Sequence, residues 1–417
     1  MKITQLIARQ ILDSRGYPTL EAELTLSNET AGRAAIPGGT SAGRHEAVEL
    51  RDEGEAYFGQ AVTKAVNNVK TTLAQALIGK EFDQTTLDQT LIELDGTDNK
   101  GRLGANAILS VSLAFAWAAS RAESKPLYHY IGDLYGNAKF VLPRPMFNIM
   151  NGGKHANWAT DIQEYMVIPI KAATWAEKQR VGVEIYHALY KLLKTKKYST
   201  NVGYEGGFAP QLESNEEALE LMIQAITTAG YAVATEVAIG LDPAASEFYN
   251  SETKRYQLKR DQKTLTSEQM VRWTVDLTQK YPLISLEDML AEDDWAGWTS
   301  LTEQLGGTTQ IVGDDLLTTN TKLIKQAITQ KACNSLLVKL NQIGTLTETL
   351  QAMKLAQNAG WTNVVSHRSG ETEDVTIAHL AVGTGCGQIK TGAPSRSERT
   401  AKYNELTRIA EKLEPTV

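Results

Sequence analysis

Apolar and polar positions follow two different rhythms along this chain. Residues 19–26, TLEAELTL, alternate without a break: Leu20, Ala22, Leu24 and Leu26 are set against Thr19, Glu21, Glu23 and Thr25. A period of two predicts a strand with one buried and one wet face, as in an antiparallel sheet. Helical segments follow from Gly59 to Gly79 and from Gly104 to Ser120. Strands first and helices after predict an α+β cap domain. The second half carries six short apolar runs, each closing on a charged or titratable residue. VAIGLD ends at Asp242, LISLE at Glu287, QIVGD at Asp314, SLLVK at Lys339, NVVSH at His367 and GQIK at Lys390. The gaps between these ends are 45, 27, 25, 28 and 23 residues. One strand, one helix and two short loops fill a gap of about that size. Runs without a polar face predict buried parallel strands. Their charged ends predict the mouth of a β/α barrel, where groups from several strands converge.

Helix ends support this phasing. Ser214-Asn-Glu-Glu217 and Thr266-Ser-Glu-Gln269 read as capping boxes, and Gly230 and Gly360 as helix stops. The stretch Gly132 to Pro145, with Gly136, Asn137 and Pro143, predicts the domain boundary. The cap is thus residues 1–136 and the barrel residues 137–417. Residues 146–240 do not phase into simple βα units.

Composition narrows the class. The 417 residues are 42% apolar and 22% charged, with a net charge of −7. An acidic balance argues against a bulk nucleic-acid binder. The two cysteines, Cys333 and Cys386, suggest no disulfide framework. The start MKITQLIARQ has no apolar signal core, and the most apolar stretch, Ala105 to Ala119, is too short for a membrane span. A cytoplasmic enzyme is the expectation.

The strand ends specify the chemistry. Asp242, Glu287 and Asp314 offer hard carboxylate oxygens without cysteine or histidine spacing, which favours Mg²⁺ over zinc. Any one of them alone is better read as a helix cap or surface pair; three on successive strand ends favour a metal. Lys339, in NSLLVKLNQIG, sits where burial lowers a lysine pKa and makes it a candidate general base. Its bland alternative is a packed stem with a solvated amine. Lys390 is a weaker case of the same kind. Arg368 and Ser369, in SHRSGETED, provide donors suited to phosphate. The loop Pro37–Gly43, PGGTSAG, can close over a ligand, and Glu205 in GYEGG is a candidate acid. Each of these last two signals is weak alone.

Taken in order, DSRGYPT, HEAVELRD, GANAILSVSLA, NGGKHA, DIQEYM, EGGFAP, DPAASEFY, SLEDMLAEDDW, VGDDLLTTN, NSLLVKLNQIGTLTETL, SHRSGETED and QIKTG resemble the enolases along nearly the whole chain. The resemblance implies an α+β cap followed by an eight-stranded β/α barrel whose first strands depart from simple alternation. It implies reversible dehydration of 2-phosphoglycerate to phosphoenolpyruvate, with two Mg²⁺ per site and a homo-oligomer, dimer or octamer. By matching position, Lys339 is the base and Glu205 the protonated acid, with Glu164 beside it. Asp242, Glu287 and Asp314 hold the first Mg²⁺, and Ser41 joins the second. Arg368 and Ser369 contact phosphate and Lys390 the carboxylate, while His155, Gln163 and His367 complete the substrate pocket. Glu164, Glu287 and Asp314 also face substrate. Two departures stand out. The loop reads PGGTSAG where the family has PSGASTG, and Tyr204 replaces an acidic residue before Glu205. The alternative reading is a weakened copy acting as a plasminogen-binding surface protein. FYNSETKRY is only partly basic and the end EPTV lacks the lysine such binding uses.

Overall fold

The computed structural model describes residues 1–40 and 43–414. Ser41, in the glycine-rich loop, lies outside them. Strands β1 (Ile3–Leu12), β2 (Pro18–Leu26) and β3 (Ala31–Ala35) form an antiparallel meander in that order. Leu20, Ala22, Leu24 and Leu26 bury their side chains under the helix Ala105–Ala122. The close approach depends on Gly32, where a Cβ would meet the Ala114 carbonyl oxygen at 2.1 Å. The opposite face of β2 is drier than its alternation suggests. Thr19 and Glu21 are buried, because Arg9 of β1 reaches Glu21 at 2.5 Å and Arg33 of β3 at 3.5 Å. A cross-strand arginine pair covers what the pattern marks as solvent-facing.

The helix Leu127–Tyr135 ends at a left-handed Gly136, and the first barrel strand starts eight residues later. The barrel strands begin with β4 (Arg144–Asn151), β5 (Glu164–Pro169) and β6 (Val237–Asp242). A small antiparallel sheet of β7 (Tyr249–Asn250), β8 (Arg255–Leu258) and β9 (Lys263–Leu265) is inserted next. That insertion accounts for the long gap between Asp242 and Glu287. The barrel continues with β10 (Leu283–Glu287), β11 (Gln310–Gly313), β12 (Ser335–Val338), β13 (Thr362–Ser366) and β14 (Gln388–Lys390). The eight strands close in the order β10-β11-β12-β13-β14-β4-β5-β6. All neighbours are parallel except β5, which runs antiparallel to β4 and β6. This reversal is why residues 146–240 resist phasing. Met146, Met166, Ile168, Val312, Leu337 and Val364 fill the interior, so the barrel is a packed core with a site only at its mouth.

The Thr266 capping box is present, whereas Ser214 caps its helix without the reciprocal Glu217 bond, because Glu217 accepts from Glu213 N–H instead. The Ser214 and Thr266 hydroxyls accept from the backbone N–H groups of Glu217 and Gln269, three residues on.

Candidate active site

Strand order decides which groups share a wall. Asp242, Glu287 and Asp314 come from β6, β10 and the end of β11, three consecutive neighbours in the closed order. Lys339 follows β12, His367 and Arg368 follow β13, and Lys390 closes β14. Because β5 runs backwards, Glu164 at its start reaches the same mouth, and it pairs in register with Asp242. In an eight-membered ring β5 stands four strands from β12. Glu164 and Lys339 therefore face each other from opposite walls.

Lysines hold the carboxylate wall together. The Lys390 amine is buried 2.7 Å from Glu287 Oε1, 3.1 Å from Glu164 Oε2 and 3.3 Å from Asp242 Oδ2. Burial opposes its charge, but these carboxylates hold its pKa well above the ordinary lysine value. Lys339 reaches Asp314 Oδ2 at 2.5 Å, and Gln342 donates to Asp314 Oδ1 at 2.8 Å. The expectation of a lowered Lys339 pKa does not hold in this form. Burial is the largest effect and pulls it down, but the neighbouring carboxylates, Asp314 foremost and then Glu287, raise it on balance.

The acid candidates form a second cluster. Ligand atoms of His155, Glu164 and Glu205 lie within 4.8 Å of one another. Burial and the charge of Glu205 raise Glu164 well above the carboxylate range. Burial also penalises the Glu205 charge, but its histidine neighbours and Arg399 hold its pKa well below that range. His367 is itself pushed down to about 4 by burial, and its Nε2 lies 3.3 Å from Glu205 Oε1 without a hydrogen bond in this arrangement. Asn148 adds a donor to Glu205 Oε2 at 2.8 Å. The surroundings of the two carboxyls thus push their proton affinities apart.

Carboxylate and histidine clusters in this mouth can bind a metal ion. Among the described residues the tightest all-carboxylate group is Asp288, Asp314 and Asp315, not the expected trio. Lys390 spans Asp242 and Glu287, and Lys339 takes one oxygen of Asp314. Asp288 accepts the backbone N–H groups of Asp314 and Asp315, each at 2.9 Å, so it shapes the Asp314 turn. The trio nonetheless suits a hard divalent cation. All three are buried carboxylates, and Glu287 Oε2 is a buried acceptor without a hydrogen-bond partner.

The anion side joins barrel to cap. Arg368 forks onto Glu46 at 2.9 and 3.2 Å and onto Asn341 at 3.0 Å. Ser369 Oγ donates to Thr40 Oγ1 at 2.7 Å and accepts from Thr40 N at 2.8 Å. Gly38 and Gly370 exchange backbone hydrogen bonds at 2.8 and 2.9 Å. Gly38 and Thr40 are thereby held against Ser369 and Gly370. Glu46 also holds Gly43 N at 3.1 Å. His155 is buried 3.5 Å from Glu205, Gln163 is buried beside it, and the Tyr204 ring lies edge-on to His155.

Sequence reasoning misses Glu46, Asn148, Asp288, Gln342 and Arg399. The doublets Glu287-Asp288 and Asp314-Asp315 are a signal for the third of these. The amides and the arginine carry none beyond their type.

Two family descriptions match the chain. "Enolase, N-terminal domain" covers residues 3–131 and "Enolase, C-terminal TIM barrel domain" covers residues 139–417.

Proposed function

Because the chain belongs to the enolase family, we propose that it is a phosphopyruvate hydratase. It would interconvert 2-phospho-D-glycerate and phosphoenolpyruvate in glycolysis and gluconeogenesis, as a cytoplasmic homo-oligomer. The observation that carries this reading is the mouth itself. An amine and a carboxyl pair stand on opposite walls, with a cationic and hydroxyl-bearing loop between them in strand order.

A proton beside an ionised carboxylate is very weakly acidic, since removing it adds charge to a group already negative. Asp242, Glu287 and Asp314 would hold a first Mg²⁺ and Ser41 would contribute to a second. Bound Mg²⁺ supplies positive charge that offsets the anion developing on the substrate carboxylate. Lys390, kept cationic by its three carboxylates, adds to that charge at the same place. Lys339 is the base. Asp314 pairs with its amine at 2.5 Å, so before it can take the substrate proton Lys339 must leave that partner and release its own extra proton to solvent, becoming the neutral amine. Hydroxide leaves only with a proton. The Glu164–Glu205 pair stores one; Asn148 fixes the orientation of Glu205 with a hydrogen bond, and His155 and His367 flank it at 3.5 and 3.3 Å. Arg368 and Ser369 would bind phosphate, and Gly38 and Thr40, which pack against Ser369 and Gly370, would help exclude water.

The phosphate assignment separates this reading from other acid dehydratases on the same barrel. Turnover compared across 2-phosphoglycerate, glycerate and unphosphorylated sugar acids tests it. Only the phosphorylated substrate is expected to react. Turnover of the unphosphorylated acids at a similar kcat/KM would sink the assignment.

A further inference from the structure

The last helix, Ser397–Leu413, carries a side chain with no part in the steps above. Arg399 is fully buried. A buried guanidinium is costly unless its donors are satisfied. Its Nη1 lies 2.7 Å from His367 Nδ1 and donates to the Arg368 carbonyl at 2.6 Å. Its Nη2 donates to the carbonyls of Tyr204 at 3.0 Å and Ser369 at 2.6 Å. Glu398 comes within 3.3 Å of Nε. Gly392 clears the path, since a Cβ there would meet Arg399 Cδ at 2.9 Å. One side chain thus ties the loop holding Glu205 to the loop holding His367, Arg368 and Ser369.

The contact with His367 has a chemical consequence. A guanidinium donates and cannot accept, so His367 Nδ1 must offer its lone pair. The proton of a neutral ring then resides on Nε2. That nitrogen lies 3.3 Å from Glu205 Oε1, near it but without a hydrogen bond in this arrangement. With the proton on Nδ1 instead, the ring would meet Arg399 donor to donor and present a lone pair to the Glu205 carboxylate. The charged groups facing His367 are Glu205, Arg399 and Glu371, and Glu371 is paired with Lys402 at 2.7 Å.

We propose that Arg399 is a positioning residue that sets the ring tautomer of His367, so that Nε2–H faces Glu205. The link to catalysis rests on the reading of Glu205 as part of the acid pair; the tautomer does not. The test uses full-length protein labelled with ¹⁵N-histidine and long-range ¹H–¹⁵N spectra of the rings. Six histidines contribute, and the His367→Gln spectrum identifies the one of interest. At pH 7 the wild-type ring is expected neutral with its proton on Nε2. Arg399→Met, which keeps length and removes all donors, should give a mixed or Nδ1–H ring and lower kcat by about 100-fold. Arg399→Lys keeps one donor and should keep the tautomer. A wild-type ring protonated on Nδ1, or ring signals unmoved by Arg399→Met, would overturn the proposal. Should the Met variant not fold, the wild-type tautomer decides alone. An inactive wild type that still carries the proton on Nε2 would sink the enzymatic reading and leave the Arg399 assignment standing.

Discussion

Asp314 serves two claims at once, and the residue-level account turns on how they are shared. One oxygen pairs with Lys339 at 2.5 Å and the other accepts from Gln342 at 2.8 Å. A base that starts as an ammonium must lose that partner, so removing Lys339 removes the step itself. Lys339→Ala is expected to cut kcat by about 10⁴-fold or more while leaving the fold intact, as judged by kcat and circular dichroism together. Tyr204 is a different case. Its backbone is fixed by His155 O and by Arg399, while its side chain is exposed at the rim. Tyr204→Asp should therefore leave KM near wild type and change kcat less than 10-fold, a modest electrostatic effect on Glu205. A 100-fold change would mean that the ring, not the backbone, holds the loop. His367 gives a pH dependence. Burial lowers its pKa to about 4 from an ordinary 6.5, so folding favours the neutral ring. The stability it contributes is complete above about pH 6.5 and is lost as pH falls through about 4, at most about 3 kcal/mol. Denaturant midpoints between pH 7 and 4 should fall, and His367→Gln should flatten that slope.

At the scale of elements, legibility followed strand direction. Six strand ends could be read because parallel barrel strands are buried on both faces, so a charge interrupting the apolar run marks the mouth. The same rule fails for β5. Its direction is reversed, so Glu164 opens the strand instead of closing it, and Glu205 sits in a loop with no periodicity. Arg399 was invisible for another reason. It lies in SERTAKYN, a polar helical pattern that normally marks a solvated face, and only the packing around Gly392 reveals that it is buried. The wet face of β2 was misread because the arginines covering Glu21 come from other strands. The element that joins cap to barrel is the backbone bridge between Gly38 and Gly370. A Cβ on Gly370 would meet the Arg15 guanidinium at 2.4 Å. Gly370→Ala should push the loop off Ser369 and lower kcat/KM for 2-phosphoglycerate by about 100-fold, with a thermal midpoint close to wild type. Unchanged kcat/KM would show that the pinning of this loop is not part of the site.

Across the whole molecule, the barrel is one packed core, and the N-terminal part supplies Thr40 and Glu46 at its mouth. Function therefore depends on the two parts meeting at Arg368 and Ser369. Lys390 and Lys339 partly neutralise the buried carboxylate wall. A divalent ion that binds only the folded wall adds stability by mass action, about 2.7 kcal/mol at 100 times its dissociation constant. The denaturant midpoint should rise with Mg²⁺, and Asp242→Asn should weaken that response. The central claim is that Lys339 and a Mg²⁺-binding carboxylate wall act together on 2-phosphoglycerate. The most direct measurement is phosphoenolpyruvate formation followed by ultraviolet absorbance, with and without Mg²⁺, for wild type and Lys339→Ala. The account predicts turnover that requires Mg²⁺ and disappears in the variant. Folded, Mg²⁺-loaded wild type that forms no phosphoenolpyruvate, or turnover that survives the loss of Lys339, would contradict it.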